Sequence, residues 1–282
     1  MTKRREQITG RTRLAVVIGD PVEQSLSPVI HNAAFSSSGV DWTYAALRVS
    51  SETLGAFIGL LRGSSISGVS VTMPHKDAVA GLVDRLDDSA AALSSVNTIV
   101  KKDDGQLVGY STDGDGLCDA LREAEVSVEG SRVLVLGAGG AARSIVDAMA
   151  RNGSDTILVH NRTVAKAQRL VPLSQGRGTV VSGDDLAAAI RDSEIVVNAT
   201  SVGMGQPESP LPDGVLGPKH VVVDIVYHPL RTVLLQQAER SGCRTIDGSR
   251  MLIHQAARQQ VLWTGRRPDV TSMTRAARRA LA

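Results

Sequence analysis

The most constraining stretch of this chain is Gly137-Ala138-Gly139-Gly140-Ala141-Ala142. It follows the apolar run RVLVLG and opens GGAARSIVDAMARNG, whose apolar positions recur at helical spacing. A glycine-rich turn between a buried strand and a helix matches G-x-G-x-x-G/A, with Ala142 in the third position. The first glycine permits the tight turn. The second lets the backbone approach a pyrophosphate, which rests on the N–H groups at the helix start. A strand–turn–helix of this kind requires a parallel α/β sheet around it, so the rest of the chain has to supply further strands and helices.

It does. TILVHN, GTVVS, EIVVNAT and VVVDIV are short β-branched runs separated by helical stretches, among them DDLAAAIRD and residues 232–242. Strands this apolar imply a sheet covered on both faces. Upstream, residues 14–19, 42–49 and 66–72 read as strands. Ser27-Pro28 reads as an N-cap and first-turn proline of a helix that Gly39 closes, and residues 52–62 as a second helix. VNTIVKK and QLVGYST flank Asp103-Asp104-Gly105, the turn of a hairpin. Lys76 falls in a loop or the first turn of a helix, and Asp113 is an N-cap candidate for residues 114–125. Residues 248–282 read as helices without strand content, and the Gly- and Pro-rich loop 202–218 is long enough to be functional. The predicted fold is therefore α/β with two domains. Residues 1–112 form an N-terminal α/β domain, 113–242 a Rossmann-type doubly wound domain, and 243–282 helices that return to pack on the first domain.

Composition narrows the function. Hydrophobic residues are 42% and charged residues 21% of 282, which is the profile of a globular domain. Aromatics are only 2%, so the core rests on Val, Leu, Ile and Ala. Thirty-one Lys plus Arg against 29 Asp plus Glu argues against a nucleic-acid binder. Cys118 and Cys243 make neither a disulfide scaffold nor a zinc-ligand spacing, so no metal is expected. No apolar run approaches the ~18–20 residues of a membrane span. The basic segment 1–13 reads as a disordered arm, and the apolar run after it is too short for a signal peptide, so a cytoplasmic protein is expected.

The strand after the glycine loop separates NAD from NADP. An acidic residue about 20 positions beyond the glycines would hold a ribose 2′-hydroxyl. Here stand Asn161, Arg162 and Thr163, followed by Lys166, a set suited to a 2′-phosphate. NADP is the expected cofactor.

Six ordered motifs accompany the loop. They are Gly19-Asp20-Pro21 with Ser25-Leu26-Ser27-Pro28 and His31-Asn32; SVTMPHK over 70–76; Val96-Asn97-Thr98; GYSTDGDG over 109–116; DIVYHPLRTVLL over 224–235; and GSRMLIHQ over 248–255. Together they resemble the shikimate dehydrogenase family over nearly the whole chain beyond the N-terminal arm. The resemblance implies reduction of 3-dehydroshikimate to shikimate with NADPH, a step of aromatic amino acid biosynthesis, with Lys76 and Asp113 as the catalytic pair. Lys76 would supply the proton to the ketone oxygen and Asp113 would orient the ammonium. Oxidation, which needs the neutral amine, should then improve at high pH. It further implies that Ser25, Ser27 and Tyr227 hold the substrate carboxylate, and that Thr72, Asn97 and Gln255 bind ring hydroxyls. On the cofactor side it places Gly137, Ala138, Gly139, Gly140 and Ala141 on the pyrophosphate, and Asn161, Arg162, Thr163 and Lys166 on the adenosine phosphate. Thr200, Ser201 and Met204 follow the fifth strand, with Ile225 and Gly248 near the nicotinamide.

Ser70 and Ser111 depart from the family's asparagines, and Gln260 stands where an aromatic is usual, read as a packing variation. An NAD-using quinate/shikimate dehydrogenase, a cofactor-binding regulator without turnover, and a folate-linked or amino-acid dehydrogenase are the competing readings. The partners expected are small molecules, with neither nucleic acid nor membrane, and the chain acts as a monomer or homodimer.

Overall fold

The computed structural model describes residues 8–281, so part of the N-terminal arm lies outside the described residues. The chain divides into two compact units. Of the described residues, 8–112 and Ala256–Ala280 form one, and Asp113–Gln255 the other.

The first unit holds β1 (Arg13–Gly19), α1 (Ser27–Ser38), β2 (Trp42–Arg48), α2 (Leu54–Leu61), β3 (Ile66–Val71), α3 (Lys76–Ala80), β4 (Arg85–Leu86), α4 (Asp88–Ala91), β5 (Thr98–Lys101) and β6 (Leu107–Tyr110). Its sheet runs β2-β1-β3-β5-β6-β4. The β1–β2, β1–β3 and β4–β6 pairs are parallel, and β3–β5 and β5–β6 antiparallel. Alternate residues of β1 feed two cores. Val16 and Ile18 pack with Leu54, Ile58 and Leu61, while Ala15 and Val17 pack with Phe35, Tyr44 and Trp263. A strand buried on both faces has to be apolar throughout, and LAVVI is. Gly39 takes the left-handed conformation at φ 63° that ends α1, and Gly105, at φ 85°, lies in the β5–β6 hairpin turn. Lys101 Nζ donates to the carbonyls of Leu61 and Ser64, satisfying the end of α2.

The second unit holds α5 (Asp113–Glu123), β7 (Arg132–Leu136), α6 (Gly140–Arg151), β8 (Thr156–His160), α7 (Val164–Gln168), β9 (Gly178–Val181), α8 (Leu186–Asp192), β10 (Ile195–Asn198), β11 (Val221–Asp224), α9 (Val233–Arg240) and β12 (Arg244–Ile246). Its sheet is parallel throughout, in the order β12-β11-β10-β7-β8-β9. That is the Rossmann order, with the topology reversing at β7. Val133 and Val135 enter the core with Leu117, Ile145 and Met149, whereas Leu134 and Leu136 enter the opposite one with Ile190 and Leu234. Thr232 caps α9, accepting from Leu235 N–H. Where α5 crosses α6, a Cβ on Gly114 would lie 2.0 Å from the Ser144 carbonyl, so the approach requires glycine there.

Two helices close the chain, α10 (Gly248–Thr264) and α11 (Val270–Leu281). Over Ala256–Ala280 they belong to the first unit. Trp263 lies over Gly68, where a Cβ would be 2.6 Å from the indole, and its Nε1 donates to Ile99 O at 3.0 Å. Among the described residues, no helix is long and apolar enough to cross a membrane.

Three local readings change. β4 and β12, of two and three residues, were too short to show a period. Ser27 does not cap α1. It is the first helical residue, and Ser25 Oγ accepts its N–H at 3.2 Å. Asp113 is likewise inside α5, as its first residue, rather than in front of it.

Candidate active site

In the first unit, one end of the sheet gathers most of the residues singled out above. β1 and β3 both end there, and the segment leading into β5 begins there. Thr72 N–H donates to Ile18 O at 2.9 Å, Asp20 N–H to Met73 O at 3.0 Å, and Val71 N–H to Asn97 O at 2.8 Å. Gly19 is needed at this crossing, because a Cβ would sit 2.4 Å from the Thr72 side chain and 2.9 Å from Met73 O. Lys76 is the first residue of α3 and is half-buried. Its backbone carbonyl accepts Val96 N–H at 2.9 Å. Buried His75 beside it contacts Val49 O at 2.6 Å through Nε2, which anchors the start of the helix.

Asn97 is buried and doubly tied to Thr112. Its Oδ1 accepts Thr112 N–H at 2.9 Å, and its Nδ2 donates to Thr112 Oγ1 at 2.9 Å. The backbone N–H can only donate, so this contact sets which end of the amide is oxygen. Thr98 Oγ1 adds a donor to the same Oδ1 at 2.7 Å. Thr112 immediately precedes Asp113, itself buried.

Behind this end lies a buried polar layer that the sequence reading missed. Tyr44 Oη donates to Ser70 Oγ at 2.6 Å, and Ser70 Oγ to Gln259 Oε1 at 2.7 Å. Burial pushes the Tyr44 phenol well above its usual range, against hydrogen bonding with Ser70 and Ser27. Ser70 Oγ is therefore bonded on both sides, and the backbone N–H of Ser111 donates to Ser89 Oγ at 3.1 Å. Gln260 is no packing variation. Its Nε2 donates to His31 O at 3.1 Å and contacts His31 Nδ1 at 3.0 Å. His31 is fully buried and stacks on Tyr44 with ring centroids 4.2 Å apart. A glutamine one turn beyond Gln255 was the available signal for this layer.

In the second unit the expected cofactor residues sit at the carboxyl ends of β7, β8, β10 and β11. Gly137 adopts φ 110°, and a Cβ there would lie 2.8 Å from Ala199 O, so the turn accepts only glycine. Its N–H donates to His160 O at 2.8 Å. Gly139 flanks α6 in extended conformation with no side-chain cap, and neither Gly139 nor Gly140 has an atom within 4 Å of where a Cβ would point. This open backbone at the start of a 12-residue helix fits a pyrophosphate. Asn161 donates from Nδ2 to Thr163 O at 2.9 Å, leaving Arg162 and Lys166 exposed at the end of β8 with no carboxylate among residues 160–166. That donor set fits a 2′-phosphate.

A second polar cluster supports the loops after β10 and β11. Asn198 Nδ2 donates to Asp224 Oδ1 at 2.9 Å, while its Oδ1 accepts from Thr200 Oγ1 at 2.6 Å. Thr232 Oγ1 and Val226 N–H complete the shell of Asp224 at 2.7 and 3.0 Å. Burial raises the Asp224 carboxyl against these donors. Ile225 follows directly, and a Cβ on Gly248 would meet Ile225 O at 2.4 Å, so these two are brought together. Ser201 and Met204 are exposed, and Tyr227 is half-buried, which raises its phenol. Gln255 is buried against Gly116, where a Cβ would lie 2.6 Å from its backbone nitrogen. Among the described residues, no cluster of three His, Cys, Asp or Glu is arranged to hold a metal.

Three family models match along the chain. A shikimate dehydrogenase substrate binding domain covers residues 17–99, shikimate/quinate 5-dehydrogenase covers 120–204, and a shikimate 5′-dehydrogenase C-terminal domain covers 248–278. The shikimate dehydrogenase (NADP(+)) of Thermococcus kodakarensis is 43% identical over 266 residues, 94% of this chain and 96% of the relative. The shikimate 5-dehydrogenase of Thermus thermophilus, solved with NADP(H) and shikimate, superposes with a TM-score of 0.88 at 35% identity, covering 95% of this chain and 100% of that one. A quinate dehydrogenase from Corynebacterium glutamicum, solved with NAD, also has a TM-score of 0.88, at 29% identity over 94% of this chain and 98% of that one. With three family models along its length and a relative 43% identical over 94% of it, the chain belongs to the shikimate dehydrogenase family.

Proposed function

We propose that this chain reduces 3-dehydroshikimate to shikimate with NADPH, with Lys76 and Asp113 as its catalytic pair. The first unit serves as the substrate domain and the second as the NADP domain. The observation that carries the reading is the meeting of Lys76 and Asn97 at one sheet end. The Lys76 carbonyl holds Val96, and Asn97 holds Thr112, the residue before Asp113.

NADPH, when bound, supplies hydride to the C3 carbonyl carbon. The rest is the work of the chain. Lys76 Nζ delivers a proton to the carbonyl oxygen as it becomes an alcohol, and the resulting amine regains its proton from water. Asp113 orients the ammonium and accepts from a neighbouring ring hydroxyl. Ser25 and Ser27 at the start of α1, with Tyr227, hold the carboxylate. Thr72, Asn97 and Gln255 bind the ring hydroxyls. Neutral hydrogen-bonding groups make such a site selective, since a missing hydroxyl leaves buried partners unpaired. The glycine turn, Gly137 to Ala141, holds the pyrophosphate, and Asn161, Arg162, Thr163 and Lys166 the 2′-phosphate. Thr200, Ser201, Met204, Ile225 and Gly248 line the nicotinamide end. The enzyme works on small molecules in the cytoplasm, as a monomer or homodimer.

A spectrophotometric assay of Lys76→Ala against wild type, with shikimate and NADP, tests this. Turnover should fall by ~10² or more with NADP affinity retained. Near-normal turnover would remove Lys76 from its role. Wild-type preference for quinate with NAD would replace the substrate and cofactor together.

A further inference from the structure

Gln259 is 2% exposed, on the part of α10 that belongs to the first unit. Its amide makes three hydrogen bonds. Nε2 donates to Thr98 Oγ1 at 3.0 Å and to the Asn97 backbone carbonyl at 3.3 Å, and Oε1 accepts from Ser70 Oγ at 2.7 Å. A carbonyl oxygen only accepts, so Nε2 must face Asn97 and Oε1 must face Ser70. Ser70 has one proton, and it is committed to Gln259. Tyr44, 2.6 Å from Ser70 Oγ, is then the donor to it. On the other side, Thr98 accepts from Gln259 and passes its own proton to Asn97 Oδ1 at 2.7 Å. That oxygen also accepts Thr112 N–H at 2.9 Å. The chain from Tyr44 to Asn97 is therefore fixed from both ends: the Asn97 carbonyl orients the Gln259 amide, Thr112 N–H orients the Asn97 amide, and the Thr98 hydroxyl joins the two.

We propose that Gln259 is a positioning residue for substrate selection: through one directional hydrogen-bond chain, Tyr44–Ser70–Gln259–Thr98–Asn97, it braces the amide of Asn97 in the orientation that Thr112 N–H sets. The proposal rests on the reading of Asn97 as a ring-hydroxyl ligand. Gln259 itself touches no substrate. A buried chain of this kind tolerates no partial rearrangement, because turning one member leaves another buried group unpaired. Cutting it should loosen the recognition of the hydroxyls more than the proton transfer at Lys76.

The test uses the full chain with shikimate and NADP. Gln259→Leu should raise KM for shikimate at least tenfold, lower kcat by less than threefold, and leave KM for NADP unchanged. Ser70→Ala should act in the same direction. The double variant should be no worse than the worse single one, since both cut the same chain. Met273→Ala, which opens a cavity at a buried position of α11, is the matched control. It should lower the melting temperature without moving KM for shikimate. A wild-type KM in Gln259→Leu, an additive double variant, or an equal KM shift in Met273→Ala would each overturn the proposal. Side-chain amide NMR reads the chain without turnover. In Ser70→Ala the Gln259 and Asn97 NH2 signals should both shift, and an unmoved Asn97 signal overturns the proposal. Absence of shikimate turnover by the wild type would instead defeat the functional reading, with the amide signals still deciding the chain.

Discussion

Asn198 and Asp224 are register partners on neighbouring parallel strands β10 and β11, and their side chains are joined by a 2.9 Å hydrogen bond beneath the loops that follow. Asp224 also accepts from Thr232 Oγ1 and Val226 N–H, so its carboxylate answers three donors while fully buried. Asp224→Asn would turn an NH2 toward at least one of them. An unsatisfied buried donor costs about 1–3 kcal/mol. The variant should melt several degrees lower and lose turnover, because Thr200 and Ile225 stand on this cluster. Calorimetry together with the shikimate assay checks it, and an unchanged melting temperature would refute the claim.

Cofactor choice should reside in Arg162. It is exposed at the end of β8, in a segment without a carboxylate. Arg162→Asp should weaken NADP by about tenfold or more, in line with about 1.5–3 kcal/mol for a hydrogen bond to a charged group. NAD should be affected little or improved. KM for the two cofactors, measured side by side, decides. Equal losses for both would place the residue outside the phosphate site.

His31 predicts a pH dependence of stability. Burial pulls its imidazole down to about 3, from an ordinary 6.5. The unfolded chain therefore binds a proton that the folded one excludes between those values. Stability is complete above about pH 6.5 and falls as the pH drops toward 3, by at most about 1.4 kcal/mol per pH unit for one proton. His31→Gln should flatten this slope whatever it does to stability at neutral pH. Thermal melts between pH 7 and 4.5 give the comparison, and parallel slopes would count against the assignment.

The two thiols should differ in reactivity. Burial pushes Cys118 up to about 12, and it is 3% exposed. Cys243 is raised as well but half-buried, with Sγ on Gly217 O. An aromatic disulfide reagent at pH 8 should modify Cys243 slowly and reach Cys118 only on unfolding. Rapid release of two equivalents from the native protein would contradict this.

Much of the fold was legible in the residues. RVLVL followed by GAGGAA dictates a strand, a tight turn and a helix, because only glycine takes φ 110° against Ala199 and only an apolar strand is stable with both faces covered. Spacing placed Gly105 in a hairpin turn and narrowed Lys76 to a loop or the first turn of a helix, of which the structure shows the second. What local pattern cannot carry is pairing across distance. The two-residue β4 and three-residue β12 exist because neighbours supply their hydrogen bonds.

The same division holds for the candidate site. The sequence by itself determined the glycine turn, the lack of an acidic partner after β8, and the motifs that bring Lys76, Asn97 and Asp113 into consideration. Only the tertiary structure decided that Ser70 is bonded on both sides, that Gln260 serves His31, and that Gln259, 189 positions beyond Ser70, closes the buried polar layer. The reason is physical. A side chain's periodicity reports which face it occupies, but a hydrogen bond depends on which donor and acceptor the folded chain brings within 3 Å, and that is set by packing between segments far apart in sequence.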